Sequence, residues 1–386
     1  MILAIEPAAT LLDTARALRP QIEACREQIE RERRLPPELV DALSEADMFR
    51  MVVPRELGGA EADPMTVTRV VEELSRADGS VGWSVMLANQ TAYAAALLRP
   101  DTAREIFGDR RSSVAGSVTR GGQAVRVSGG YRVTGRWSFA SGSDHATWMG
   151  CVSAVVDEDG PVLGPDDSPQ LLRLHLPIEQ CEIIDTWSTT RLRGTASHDF
   201  QIQDVFVPEE RAVRFPVNAC QVHGVRALVL MGHGGQALGV AQAAIDALIT
   251  VAEAKQRRGA PTTMRDDPIV QSQIAQADVL VASARRHLYG TAEEIWEAAG
   301  SDAEVTPLQI ARLRLALANA VTSSAQAVDL MYAAGGASAI YASNPLDRHF
   351  RDIHTAAAHM LVSPGTYVQA GRVLLGLEPT NPLFLI

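Results

Sequence analysis

The sequence predicts an α+β protein in three consecutive parts: an amino-terminal helical domain over residues 1–110, a middle antiparallel β domain over 111–216 and a carboxyl-terminal bundle of about four helices over 217–386. Three observations predict it. Apolar residues recur at helical spacing through the first hundred residues, the pattern shortens to apolar–polar alternation after Phe107, and helical spacing returns near Val217 and holds to the end. With 386 residues, 46% hydrophobic and 21% charged, the chain has the composition of a globular protein able to bury more than one core.

The helical part begins with a periodic run from Thr10 to Arg34, which Pro36-Pro37 breaks. It restarts at Glu38 with Leu39, Val40 and Leu43 on one face. Pro54 and Gly58-Gly59 mark a turn, and Asp63-Pro64 is a helix start with proline in the first turn. Two helices then run to Leu98, separated near Asp78-Gly79. In the middle part AVRVSGGYRVTGRWSF, WMGCVSAVV, LLRLHLP, CEIID and HDFQIQDVFVP alternate as half-buried strands do, and Gly129-Gly130 suits a hairpin turn because glycine takes positive φ without strain. The last part carries helical segments near 227–257, 268–299, 306–334 and 346–376, divided by Gly- and Pro-containing breaks and rich in alanine that permits close helix approach.

Charge and cysteine usage narrow the function. A formal net charge of −11 repels polyphosphate partners, which argues against general nucleic-acid binding. Cys25, Cys151, Cys181 and Cys220 are scattered, with no CxxC pair and no metal-ligand spacing, as expected of a reduced cytoplasmic chain without a metal site. The amino terminus lacks a basic region ahead of an apolar stretch, so no secretory signal is expected. Two uncharged stretches, Gly79–Leu98 and Ala227–Ile245, carry Ser, Asn, Gln and His and are read as buried helices, not membrane spans. No GxGxxG or P-loop accompanies a βαβ unit, so the chain does not look able to bind a nicotinamide.

Three separated stretches carry a resemblance: MFRMVVPRELGGAEAD with VVEELSRADGSVGW, then GYRVTGRWSFASGSDHATW, then DVFVPEER. In this order they resemble the acyl-CoA dehydrogenase superfamily over nearly the whole chain. In the dehydrogenase branch the commonest catalytic base is a glutamate a few residues beyond an Arg-Asp pair. This sequence has no Glu between Glu304 and Glu378, and His359 stands where that base is expected. A histidine there, together with WSFASG, resembles the group D flavin-dependent monooxygenases. Those are oxygenase components of two-component systems that take reduced FMN or FAD from a separate NAD(P)H-dependent reductase, react it with molecular oxygen to a flavin C4a-hydroperoxide and hydroxylate aromatic compounds; enzymes oxidising nitrogen or sulfur also belong.

The resemblance implies roles for particular residues. Ser141 matches the position whose hydroxyl hydrogen-bonds flavin N5; without the resemblance, Ser141-Gly142-Ser143 reads as a turn after a strand. Two roles are open for His359, on a predicted helix with Asp352, Thr355 and Val362: taking a phenolic proton, or keeping the distal peroxide oxygen protonated. Trp137 and Phe139 alternate about Ser138 and so share one face, expected to abut the isoalloxazine. Trp187 either lies beside the flavin or packs in the core. Arg258 matches a phosphate-binding arginine, often supplied by a neighbouring subunit. Arg348 and Arg351 could bind phosphate or pair with Asp347 and Asp352. Asn89 and Gln90 fall on the amino-terminal helix where related oxygenases often place a substrate-facing histidine. The expected function is hydroxylation of a phenolic or polycyclic aromatic small molecule by a homotetramer joined through its carboxyl-terminal bundle. The alternatives are N-oxygenation of an amino sugar or amine, an acyl-CoA dehydrogenase with an atypical base, and a catalytically silent flavin-binding scaffold.

Overall fold

A computed structural model describes residues 8–164, 167–215, 226–256, 261–300, 305–381 and 384–385. Cys220 and Arg258 lie outside the described residues; Cys25, Cys151 and Cys181 are free thiols. The amino-terminal part holds α1 (Ala8–Glu32), α2 (Pro37–Glu45), α3 (Pro64–Ala77), α4 (Gly79–Ala92) and α5 (Pro100–Phe107). Proline opens α2, α3 and α5, where its missing N–H has no intrahelical partner to lose. Asp63 caps α3 by accepting from Thr66 N at 2.9 Å. Asp78 both ends α3 and caps α4, accepting from Ser80 N and Val81 N, which is why the two helices part at the predicted place. Ile22, Ile29, Leu39, Leu43 and Leu74 form the centre of this core.

The strands are β1 (Val114–Val127), β2 (Gly130–Ala140), β3 (Trp148–Asp157), β4 (Gly160–Pro161), β5 (Leu171–Pro177), β6 (Glu182–Ile184), β7 (His198–Pro208) and β8 (Ala212–Phe215). They form one sheet in the order β6-β7-β2-β1-β3-β5-β8, with β4 on β3. The β1–β2 hairpin pairs Val127 with Gly130, and Gly129 takes φ +79° in the turn. One pair departs from the antiparallel expectation: β1 and β3 run parallel. The chain leaves β2 at the end of the sheet where β1 begins, crosses that end through residues 141–147, and enters β3 in the direction of β1. That crossing segment carries Ser141.

The last part holds α6 (Arg226–Val229), α7 (Gly232–Ala254), α8 (Pro268–Gly300), α9 (Pro307–Gly335), α10 (Pro345–Ala357) and α11 (Pro364–Leu374). Residues 227–254 form the one described stretch long and apolar enough to cross a membrane, and its apolar window is 56% buried within the protein. It packs on α3 through small residues. A Cβ added at Gly235 would lie 2.8 Å from the Thr68 carbonyl oxygen, and one at Gly239 would lie 2.2 Å from that of Glu72. These two glycines sit one turn apart on one face and let the helix backbones touch. The segment predicted as one helix over 346–376 is instead broken. α10 ends at Ala357, His359 turns extended (ψ 144°), a 3-10 turn spans Met360–Val362, and α11 starts afresh after Ser363, which takes the extended conformation (φ −64°, ψ 158°) that Pro364 imposes on its predecessor.

Candidate active site

The site begins at an irregularity in β2. Trp137 pairs with Phe200 and Ala140 with His198, so three steps on β2 match two on β7. The extra residue is a bulge, and Phe139 within it takes φ +66°. The expected shared face therefore fails, because a bulge breaks the two-residue alternation that would have placed Trp137 and Phe139 together. Trp137 is fully buried, stacked on Phe200 at 5.1 Å, with its indole N–H given to the Val152 carbonyl at 2.7 Å. It is a core residue of the sheet and not a cofactor-facing one. Phe139 points the other way, 64% exposed, edge-on to Trp187 at 6.4 Å. A bulky aromatic held both exposed and left-handed costs on the order of 1–3 kcal/mol, and such strain concentrates where a ligand is bound.

Ser141 follows directly. Its hydroxyl accepts from Trp83 Nε1 at 3.2 Å and lies 2.6 Å from the Ser197 hydroxyl, which in turn lies 2.7 Å from Thr195 Oγ1. Thr195 Oγ1 donates to the Leu192 carbonyl at 2.9 Å. Trp83 comes from α4, Ser141 from the β2–β3 crossing, and Thr195 and Ser197 from the segment entering β7, so three parts of the chain converge.

Trp83 also joins Ser141 to the histidines. Its ring lies 5.2 Å from His233 and 5.8 Å from His359, edge-on to both, while the two imidazoles stack at 4.5 Å and 27°. His359 is not on a helix as predicted: it caps the 3-10 turn Met360–Val362, and its Nδ1 accepts from Leu361 N at 3.4 Å. Burial pushes its imidazole down to about 4, and His233, deeper and beside His359, is held well below the ordinary histidine range. Both are neutral near pH 7. His233 Nδ1 is buried without a hydrogen-bond partner.

The other expected residues divide. Trp187 is half-buried beside Phe139, with Nε1 donating to the Leu192 carbonyl at 2.9 Å. Gln90 is half-buried and donates to the Val229 carbonyl at 3.3 Å. Asn89 is buried and borders the small pocket next to Met86 and Gly232, and its polar atoms are engaged: its amide donates to the Met48 and Val85 carbonyls at 2.7 and 2.8 Å, and its oxygen accepts from Val52 N at 3.3 Å. Arg348 and Arg351 are likewise engaged inside the protein. Arg348 lies 3.4 Å from Asp78 and 3.6 Å from Glu30, and Arg351 lies 2.8 Å from Asp347 and 3.4 Å from Glu30. They pin α10 to α1 and to the cap of α4, so both take the ion-pairing reading here, with Asp78 and Glu30 as partners besides Asp347. His349 is buried, and His354 pairs with Asp329 at 2.9 Å.

A cavity of about 950 Å³, lined in part by Val52, Met65, Tyr93, Val229 and Trp296, shares Pro64, Tyr93 and Val229 with a smaller pocket that also touches Met86, Gln90 and Gly232. Gly232 immediately precedes His233, and the Tyr93 hydroxyl is buried without a partner.

Comparison with known proteins gives this geometry its context. The acyl-CoA dehydrogenase amino-terminal domain model matches residues 8–100 and the carboxyl-terminal domain model residues 231–364. Indole-3-acetate monooxygenase of Pseudomonas putida is 31% identical, over 91% of this chain and 90% of its own length. The chain belongs to the acyl-CoA dehydrogenase family, in its flavin-dependent monooxygenase branch. The oxygenase subunit HsaA of a flavin-dependent monooxygenase from Rhodococcus jostii is 28% identical, over 95% of this chain and 98% of its own length. Among solved structures, XiaF from a Streptomyces species in complex with FADH2 and glycerol superposes with a TM-score of 0.89 at 27% identity, covering 97% of both chains. The relatives are monooxygenases, so the dehydrogenase alternative is not favoured. Within this branch the order helices, sheet, helices is the family's own architecture.

Sequence reasoning missed four site residues in this family member. His233 had a signal, a lone imidazole in the uncharged stretch Ala227–Ile245, where a buried polar ring needs a reason. Trp83 had a weaker one, an indole needing a hydrogen-bond acceptor in a second uncharged stretch. Thr195 and Ser197 had none, since short hydroxyl side chains in TAS are indistinguishable from loop chemistry.

Proposed function

We propose that this chain is the oxygenase component of a two-component monooxygenase that hydroxylates a phenolic or polycyclic aromatic molecule, working with a separate NAD(P)H-dependent reductase and as a homotetramer. The carrying observation is one constellation: His359 and His233 stacked at 4.5 Å, Trp83 edge-on to both, and Trp83 donating to Ser141. Reduced FMN or FAD, when bound, supplies the electrons and activates dioxygen so that one oxygen atom enters the substrate. The residues present fit it. Phe139, exposed and edge-on to Trp187, offers an aromatic flank for a planar ring, and Ser141 has one acceptor site left for a ring nitrogen. Supporting an aromatic substrate, the cavity of about 950 Å³ is lined in part by Val52, Met65, Val229 and Trp296, with the unpaired Tyr93 hydroxyl among its polar groups.

The state of His359 favours one of its two roles. Leu361 N–H points at Nδ1, so the neutral ring carries its proton on Nε2. With the imidazole at about 4 and a phenol near 10, taking a phenolic proton runs uphill by about 8 kcal/mol. Donation of a hydrogen bond from Nε2 to the reacting oxygen meets no such barrier. The constructive test is His359→Gln against His359→Ala, measured as product formed per reduced flavin consumed. Glutamine keeps an N–H donor and retains much of the yield, whereas alanine loses it. Equal loss in both variants rejects the donor role. Equal retention removes His359 from the mechanism. A monomer in sedimentation velocity at micromolar concentration overturns the assembly.

A further inference from the structure

The hydrogen-bond line through Ser141 has a polarity that follows from counting protons. An indole N–H only donates and a carbonyl only accepts. The 2.9 Å contact between Thr195 Oγ1 and the Leu192 carbonyl therefore requires the Thr195 proton. The 2.7 Å contact between Thr195 and Ser197 must then use the Ser197 proton, and the 2.6 Å contact between Ser197 and Ser141 the Ser141 proton. Three hydroxyl protons serve three contacts in a single arrangement, with Trp83 Nε1–H entering at the head at 3.2 Å. Thr195 is fully buried, and Ser141 and Ser197 nearly so, so solvent does not substitute for a missing member.

The far end of the line is held as firmly. Leu192 sits at φ +42°, its N–H donates to Asp352 Oδ1 at 2.6 Å, and its carbonyl also accepts from Trp187 Nε1 at 2.9 Å. The terminal acceptor is thus fixed by α10 on one side and by the aromatic flank on the other.

Resting on Ser141 as the flavin contact proposed above, we infer that Ser197 and Thr195 are positioning residues that hold Ser141 Oγ as a pure hydrogen-bond acceptor and so make the site select reduced over oxidised flavin. Reduced flavin carries a hydrogen on ring N5; oxidised flavin presents a bare, accepting nitrogen there. A hydroxyl whose proton is committed to Ser197, and whose oxygen already receives Trp83, has one lone pair left. It can receive the reduced ring's N–H, but it faces the oxidised ring acceptor to acceptor. Such a site takes up the form a reductase delivers and lets go of the form left after turnover.

The test is equilibrium binding of oxidised and, anaerobically, of photoreduced FMN and FAD to the full chain, read by flavin fluorescence and by the midpoint potential of the bound flavin. Ser197→Ala leaves the Ser141 proton without an acceptor, and Thr195→Val lets Ser197 turn its own proton toward Ser141. Both variants are expected to lower the preference for reduced flavin about tenfold, the worth of one hydrogen bond, and to move the bound-flavin potential downward. Ser197→Thr restores the hydroxyl and rescues the preference. If Ser141→Ala changes neither affinity, the flavin contact itself fails and the inference goes with it. If Ser141→Ala weakens reduced-flavin binding while Ser197→Ala and Thr195→Val keep the wild-type preference, the contact stands and the relay is refuted. A merely structural role predicts equal weakening of both redox forms, which also overturns it.

Discussion

Replacing Asp352 with asparagine tests the energetics around the site directly. The Asp352 carboxyl is 2% exposed, and desolvation, helped by Asp78 and Glu30 and opposed by the Leu192 N–H and Arg351, raises it from 3.8 to about 8. The folded protein therefore holds it protonated near neutrality while the unfolded chain releases the proton. Below pH 4 both states keep the proton and the group has no effect on stability. Between pH 4 and pH 8 the unfolded state binds fewer protons than the folded one, so stability falls as pH rises, by about 1.4 kcal/mol per unit. Asparagine mimics the protonated acid, keeps an oxygen for the 2.6 Å contact from Leu192 N, and does not titrate. Relative to wild type, Asp352→Asn should gain roughly 3 kcal/mol in going from pH 5 to pH 7. Urea unfolding midpoints of the two proteins at both pH values, at constant ionic strength, measure the difference. A gap that stays constant with pH, or a variant that loses ground as pH rises, refutes the assignment of a buried protonated acid.

Gly239→Ala places a methyl 2.2 Å from the Glu72 carbonyl oxygen and 2.8 Å from Ser75 Cβ, forcing α3 and α7 apart; a loss of about 1–3 kcal/mol is expected in urea unfolding, and a neutral result means the helices do not touch there. Phe139→Gly relieves the φ of +66° and should stabilise the flavin-free protein by about 1 kcal/mol while weakening flavin binding; unchanged affinity removes Phe139 from the cofactor surface. The yield of product per reduced flavin should stay level from pH 6 to 8, because His359 stays neutral with its proton on Nε2 across that range; an inflection near 6.5 contradicts the buried, neutral imidazole.

Local signals in the chain were enough for the order of elements. Asp63 and Asp78 cap helices whatever surrounds them, proline opens α2, α3 and α5, and Gly129 turns the first hairpin, because each effect acts over about four residues and reads directly as spacing. WSFASG and the histidine in place of a glutamate were equally legible, and they drew attention to Ser141 and His359. What they could not supply was register and pairing across the fold. One added residue in β2 sends Trp137 into the core and Phe139 to the surface, and nothing within the WSF triplet distinguishes a bulge from regular alternation. Arg348 and Arg351 are engaged by Glu30 and Asp78, about 270 to 320 residues away in the chain, and His233 meets His359 only because α7 packs where the chain breaks between α10 and α11. Sequence fixed which groups were present; long-range packing, whose energy depends on partners far apart in the chain, decided which of them meet.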